Sequence, residues 1–176
     1  MAQGKEIILY ITRDIERALG IPPSANYHIV SNRTSYGENV AKQYPDFVTL
    51  IESKSNDSAG TGELMSSPET LELIAKLAKA SGTRPYIMVF KNTARIEPIA
   101  RDQAWTLINP PAATSENIEN KISQIAWLGE LGNKYLPAHR VEFMKNIRFY
   151  AKPFILQCAS GHTSGGNCLV TSEAEL

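Results

Sequence analysis

The run K-E-I-I-L-Y-I-T, Lys5 to Thr12, is apolar almost without interruption from Ile7 to Ile11. A strand with one wet face alternates apolar and polar side chains. An unbroken apolar run is the pattern of a strand covered on both faces, as in parallel sheets flanked by helices. The run Y-I-M-V-F, Tyr86 to Phe90, has the same character. Tyr27 to Val30 reads as a second strand and Phe47 to Ile51 as a third, the latter entered through the turn Tyr44-Pro45-Asp46. Asp14 to Leu19 gives a short helical turn, stopped by Gly20 and the pair Pro22-Pro23, and Ser31 to Tyr36 a polar loop. Glu52 to Ser67 turns to Ser, Asn, Asp, Gly and Thr, the composition of an exposed loop. Ser67-Pro68 supplies a cap and a first-turn proline. The helix they open places Leu71, Ile74, Ala75, Leu77 and Ala78 on one face, and Gly82 ends it. Thr93 to Gln103 reads as a short helix interrupted near Pro98, and Trp105 to Ile108 as a last strand. Strands alternating with helical segments predict an α/β domain with an open, mostly parallel, Rossmann-like sheet. No G-x-G-x-x-G follows the first strand, so the loop carrying Thr12 and Arg13 does not announce a dinucleotide site.

The 176 residues suffice for one domain, or one domain and part of a second. Eighteen basic residues balance eighteen acidic ones, which gives no electrostatic case for nucleic acid or an anionic membrane surface. No apolar run approaches the roughly 18 residues of a membrane span, and Met1 to Lys5 lead into a strand without a signal-peptide core. The expectation is a cytoplasmic protein with its two cysteines, Cys158 and Cys168, reduced, although they stand where they could face each other across a hairpin.

Asn109-Pro110-Pro111 marks a change of style, and the domains are read as residues 1–110 and 111–176. A long helical signal, Ser115 to Leu131, carries Ile118, Ile122, Ile125, Ala126 and Leu128 near one face, and Gly132 is its expected stop. Pro137 to Met144 reads as extended. Then comes K-P-F-I-L-Q-C-A-S-G-H-T-S-G-G-N-C-L-V, Lys152 to Val170: a strand ending at Gln157, a loop of small residues, and a second strand from Cys168. This predicts a small α+β lobe with an antiparallel hairpin. Such a loop can fold its backbone N–H groups over a phosphate, or serve only as a connection. It is not a P-loop, because Asn167 and Cys168 follow Gly166 where Lys and Ser/Thr would be needed.

Two stretches, L-I-N-P-P-A-A-T-S-E-N-I-E-N-K from Leu107 to Lys121 and P-F-I-L-Q with S-G-H-T-S-G-G-N beyond it, resemble the ATP-grasp superfamily in its carboxylate-amine ligase and biotin-carboxylase branches. The resemblance implies a pre-ATP-grasp domain over residues 1–110 and the first part of a grasp domain over 111–176. It implies a nucleotide-binding set of Lys121, Gln157, His162, Thr163, Ser164, Gly165 and Gly166. Lys121 matches the family lysine that reaches the phosphates, and residues 164–166 match the flap over them. Gln157 stands where the family has a second lysine; it can hydrogen-bond a purine edge but supplies no charge. His162 and Thr163 stand where glycines are commoner. The implied activity is ATP-binding with Mg2+, activation of a carboxylate as an acyl-phosphate and its ligation to an amine. The implied partners are those small-molecule substrates, and a homodimer is an arrangement the family allows.

The family's metal ligands and its acyl-phosphate arginine lie further along than Leu176. The chain is therefore expected to be a fragment, silent in catalysis by itself, needing no cofactor to fold, with no catalytic residue or metal ligand assigned. Thr12, Arg13, Ser31, Asn32 and Arg33 follow predicted strand ends, where open α/β sheets hold ligands. Of these Thr12, Arg13, Asn32 and Arg33 are the candidate carboxylate contacts. The other reading is a non-catalytic α/β binding or interaction module whose glycine hairpin is structural. Cys158, His162 and Cys168 match neither a zinc spacing nor a thiol-hydrolase constellation, and Trp105, Trp127, His28 and His139 read as packing residues.

Overall fold

The computed structural model describes residues 6–53, 58–160 and 166–176. The chain divides into two compact units, Met1–Ala113 and Thr114–Leu176. In unit 1, β1 (Ile8–Thr12) leads through a 3-10 turn (Ile15–Ala18) to β2 (Tyr27–Asn32), α1 (Ser35–Gln43) and β3 (Val48–Ile51). After these come α2 (Thr61–Met65), α3 (Pro68–Ser81), β4 (Tyr86–Val89) and α4 (Ile96–Asp102). The four strands form one parallel sheet in the order β3-β2-β1-β4, a Rossmann-like α/β arrangement.

The apolar run at β1 is explained by two cores. Leu9 and Ile11 join Val30, Ile87 and Val89 under Leu64 and Met65 of α2, Ile74 of α3, and Ile96 and Ala100 of α4. Tyr10, between them in sequence, packs with Tyr27, Ile29 and Val48 against Ile15, Ala18 and Val40 of α1. Successive side chains of a strand point to opposite faces, so a central strand with helices on both sides has no polar position to offer. α3 forms as its sequence predicts. The Ser67 hydroxyl accepts from Thr70 N–H at 3.2 Å, Pro68 occupies the first turn, and Gly82 at φ 76° ends the helix in the left-handed conformation.

Several expectations need correction. The polar loop at 31–36 is instead the end of β2 and the start of α1, capped by the Thr34 hydroxyl, which accepts from Gly37 N–H at 2.9 Å. Polar residues cover most of α1, and only Val40 and Gly37 are buried, so its apolar stripe is too thin to read. Within the stretch read as loop, α2 buries Leu64 and Met65 completely. Trp105 to Ile108 is no strand; it makes one parallel bridge, Leu107 to Ile87, and the Asn109 carboxamide then takes over the pairing by binding Val89 N–H (2.9 Å) and C=O (2.7 Å).

Unit 2 breaks the long predicted helix into α5 (Ala112–Glu119, which begins just before the unit boundary), α6 (Lys121–Leu128) and α7 (Glu130–Tyr135). Asn120 leaves the helical region at ψ 118°, and its side-chain oxygen accepts from Ile122 and Ser123 N–H, which starts a new helix. Gly129, at φ 52° and ψ −127°, makes the second break, and Gly132 lies inside α7 rather than ending it. Pro137 to Met144 forms no strand, and a 3-10 turn at Met144–Asn146 follows. β5 (Phe154–Gln157) and β6 (Asn167–Val170) form the antiparallel hairpin. Among the described residues no helix is long and apolar enough to cross a membrane.

One pH dependence follows from the packing. His28 is 6% exposed, with its ring edge-on to Phe47 at 5.5 Å. Burial pushes its pKa below the ordinary 6.5 and nearby Lys76 adds to this, against a backbone hydrogen bond at Ala25. The fold therefore favours the neutral ring. Its contribution is present above pH 6.5 and is lost as pH falls from there to the lowered folded-state value, because the unfolded chain takes up the proton first. His28→Phe should flatten the slope of unfolding free energy against pH over that window, measured by urea denaturation.

Candidate functional site

The strand order decides where unit 1 opens. The chain builds β1, β2 and β3 in one direction and returns to place β4 on the other side of β1. The connections leaving β1 and β4 therefore diverge at their C-terminal ends, where open α/β sheets bind ligands. A cleft of about 630 Å³ lies there, between Thr12 to Asp14 at the end of β1, the first turn of α2, and Phe90, Lys91, Thr93 and Arg95 after β4.

Thr12 is fully buried and its hydroxyl donates to Asp14 C=O at 3.2 Å, holding the first turn of the loop. Arg13 is exposed at the rim, and its carbonyl is fixed from behind by the Ser31 hydroxyl (3.2 Å) and the Asn32 amide (2.9 Å). Asn32 itself is 2% exposed. Its Nδ2 also donates to Ala59 C=O at 2.9 Å, and its Oδ1 accepts from Ala59 N–H at 3.0 Å. It ties the loop after β1 to the segment entering α2. Arg33 lies outside the cleft, its Nη1 3.2 Å from Glu38 and its Nε 2.9 Å from Glu52. Of the four candidate carboxylate contacts, Arg13 is exposed at the crevice, Thr12 is buried in its wall, and Asn32 positions Arg13 from underneath.

Sequence reasoning missed Arg17, Phe90, Lys91 and Arg95, which also line the cleft. The rule that singled out Thr12 and Arg13, position just past a strand end, applies equally to Phe90 and Lys91. The Arg17 guanidinium lies 4.0 Å over the Phe90 ring and 3.0 Å from Asp14 Oδ2, which pins both walls of the opening. The β4 side is held by Asn92, whose Nδ2 donates to Glu97 Oε1 (3.0 Å) and Pro110 C=O (2.9 Å). Glu97 Oε1 also accepts from Ala112 N–H at 2.6 Å.

The second candidate region lies within unit 2. β5 and β6 pair from Phe154 opposite Val170 to Gln157 opposite Asn167, and Cys158 N–H donates to Gly166 C=O at 2.9 Å, closing the base of the loop. Gly166 sits at φ 79°, and a Cβ there would lie 3.1 Å from Cys158 Cβ, so both conformation and space require glycine. Lys121 N–H donates to Ala159 C=O at 2.9 Å, fastening the first residue of α6 to the outgoing end of β5. Gln157 is exposed and shares one hairpin face with Ile155, Leu169 and Asn167. His162, Thr163, Ser164 and Gly165 lie outside the described residues.

The other hairpin face, with Leu156, Cys168 and Val170, borders a smaller cleft of about 230 Å³ that also contains Glu175. The Thr171 N–H and hydroxyl bind the Glu175 carboxylate and hold its pKa below the ordinary carboxylate value. The two cysteines are exposed free thiols and do not face each other: Cys168 lies opposite Leu156, and Cys158 is bonded to Gly166. No family model matches the chain, and comparison with curated proteins and with solved structures finds no match.

Proposed function

We propose that the chain belongs to a cytoplasmic ATP-grasp ligase, with the hairpin and α6 of unit 2 handling ATP and the unit 1 crevice holding a carboxylate substrate. The observation that carries the reading is the 2.9 Å bond from Lys121 N–H to Ala159 C=O, which fastens the backbone of the first residue of α6 to the segment leaving β5. A lysine on that helix and a following sequence of small residues are the groups that would suit a phosphate chain, which is anionic and rich in acceptors. The exposed face of Ile155 and Leu169, ending in Gln157, offers an apolar surface and an amide to a purine. In such a ligase a carboxylate oxygen attacks the γ-phosphorus of ATP and ADP departs. The amine then attacks the acyl carbon and releases phosphate. Among the described residues no three His, Cys, Asp or Glu side chains come together as a group that could hold a metal ion.

The test is calorimetric titration of the full-length protein with ATP and magnesium. Binding in the micromolar range is expected, and Lys121→Ala should weaken it about tenfold, or roughly 1.4 kcal/mol, the lower end for a charge-assisted bond. Equal affinity in the variant removes Lys121 from the site, and absent binding overturns the reading.

A binding or interaction module remains the second reading, favoured by the surface of unit 2. Of the sixteen exposed large apolar side chains among the described residues, eleven fall in unit 2, whereas Val170 is its one buried apolar residue of that size. Such a unit keeps apolar surface that a protein partner would cover.

A further inference from the structure

We infer that the crevice of unit 1 is built for a compact dianion, a small dicarboxylate or a phosphate monoester. This rests on the substrate half of the reading above, that the crevice is a ligand site, and is independent of the nucleotide half.

The charge inventory of the walls carries the inference. Four cations, Arg13, Arg17, Lys91 and Arg95, line the cleft against two acids, Asp14 and Glu63. Asp14 is engaged with Arg17 at 3.0 Å. Glu63 Oε2 accepts from Gly60 N–H at 2.7 Å, which turns that carboxylate to the start of α2. Arg13 and Arg95 are exposed, one from each side of the opening, and neither has an acidic partner among the described residues. Arg13 and Arg95 thus bring two positive charges, uncompensated by any acid among the described residues, to one opening of a chain whose formal net charge is zero. Both stand at the switch point of the sheet.

Two separate guanidiniums on opposite walls favour a ligand with two anionic charges over one with a single charge. Each guanidinium presents a fork of donors that matches a carboxylate or a phosphate. Phe90, 56% exposed beside them, gives the ligand's carbon skeleton an apolar surface. A cleft of about 630 Å³ admits a small metabolite and lies within the usual range of small-molecule sites. The Thr12 turn and Asn32, which fix the Arg13 backbone, make one wall preformed.

The experiment is titration of the full chain with succinate, glutarate and phenyl phosphate, and with butyrate and benzoate as single-charge controls, followed by amide chemical shifts. The dianions are expected to shift the amides of residues 12–14, 60–63 and 90–95 and to bind at least about tenfold more tightly than the controls. Arg13→Gln and Arg95→Gln should each cost about tenfold in that affinity, the effect of losing one charge-assisted contact. The dianion titrations contain no ATP and the ATP titration no dianion, so failure here is distinguishable from failure of the nucleotide reading. A preference for the dicarboxylates or for phenyl phosphate identifies which dianion is held. Equal binding of single-charge controls, insensitivity to both substitutions, or no shift with any dianion at about 10 mM, a level where even weak millimolar sites fill, overturns the inference.

Discussion

Asn32→Ala is expected to lower the unfolding free energy of unit 1 by about 3 kcal/mol, combining lost hydrogen bonds with buried groups left unpaired. The Asn32 carboxamide makes three bonds to two other segments: to Arg13 C=O at 2.9 Å, to Ala59 C=O at 2.9 Å and from Ala59 N–H at 3.0 Å. Alanine fills none of these roles and admits little water, because position 32 is 2% exposed. Urea denaturation checks the result through a lower midpoint at unchanged slope. The Arg13 backbone should also lose its support, so the succinate affinity of the folded variant should fall. A loss below about 1 kcal/mol, the net value of one ordinary hydrogen bond, would mean that the two loops are held by something else.

Gly166→Val is expected to undo the base of the unit 2 hairpin at a cost of about 2 to 3 kcal/mol, adding left-handed backbone strain to steric overlap. Gly166 has φ 79°, and its added side chain would begin 3.1 Å from Cys158 Cβ and 3.3 Å from Cys158 Sγ. Relief requires the 2.9 Å bond from Cys158 N–H to Gly166 C=O to open. A lone two-stranded hairpin is marginal, and this one buries chiefly Val170, so the loss is large relative to what holds it. Cross-strand proximity between Leu156 and Cys168, read by NMR, should disappear while the thermal transition of unit 1 is preserved. On the ligase reading ATP affinity should drop at least about tenfold with it. A variant that retains the pairing would refute the requirement for glycine.

The candidate crevice was legible in part. The position of Thr12 and Arg13 beside the cleft follows from strand ends alone, because an open parallel sheet parts past the ends of its strands. Asn32 stands at a strand end too, but its bonds are to backbone groups, and Ala59 lies in a stretch that reads as undistinguished loop. Arg17 and Arg95 enter the cleft through the return of β4 to the far side of β1, a pairing that no local pattern encodes.

By itself the amino-acid sequence determined the layered α/β class, because Ile7 to Ile11 and Tyr86 to Val89 are too continuously apolar for any strand with a wet face. It also determined the ends of α3 through Ser67, Pro68 and Gly82, and the hairpin through the small-residue loop between two apolar runs. These are matters of nearest neighbours and of period, which a chain carries openly. The tertiary structure alone decided the strand order and hence the crevice. It also decided the division of the long helix at Asn120, where a side-chain cap competes with helical continuation, and the contact of Lys121 with Ala159. Each of those depends on groups distant in sequence or on a balance of about 1 kcal/mol, the size of one cap, which periodicity does not resolve.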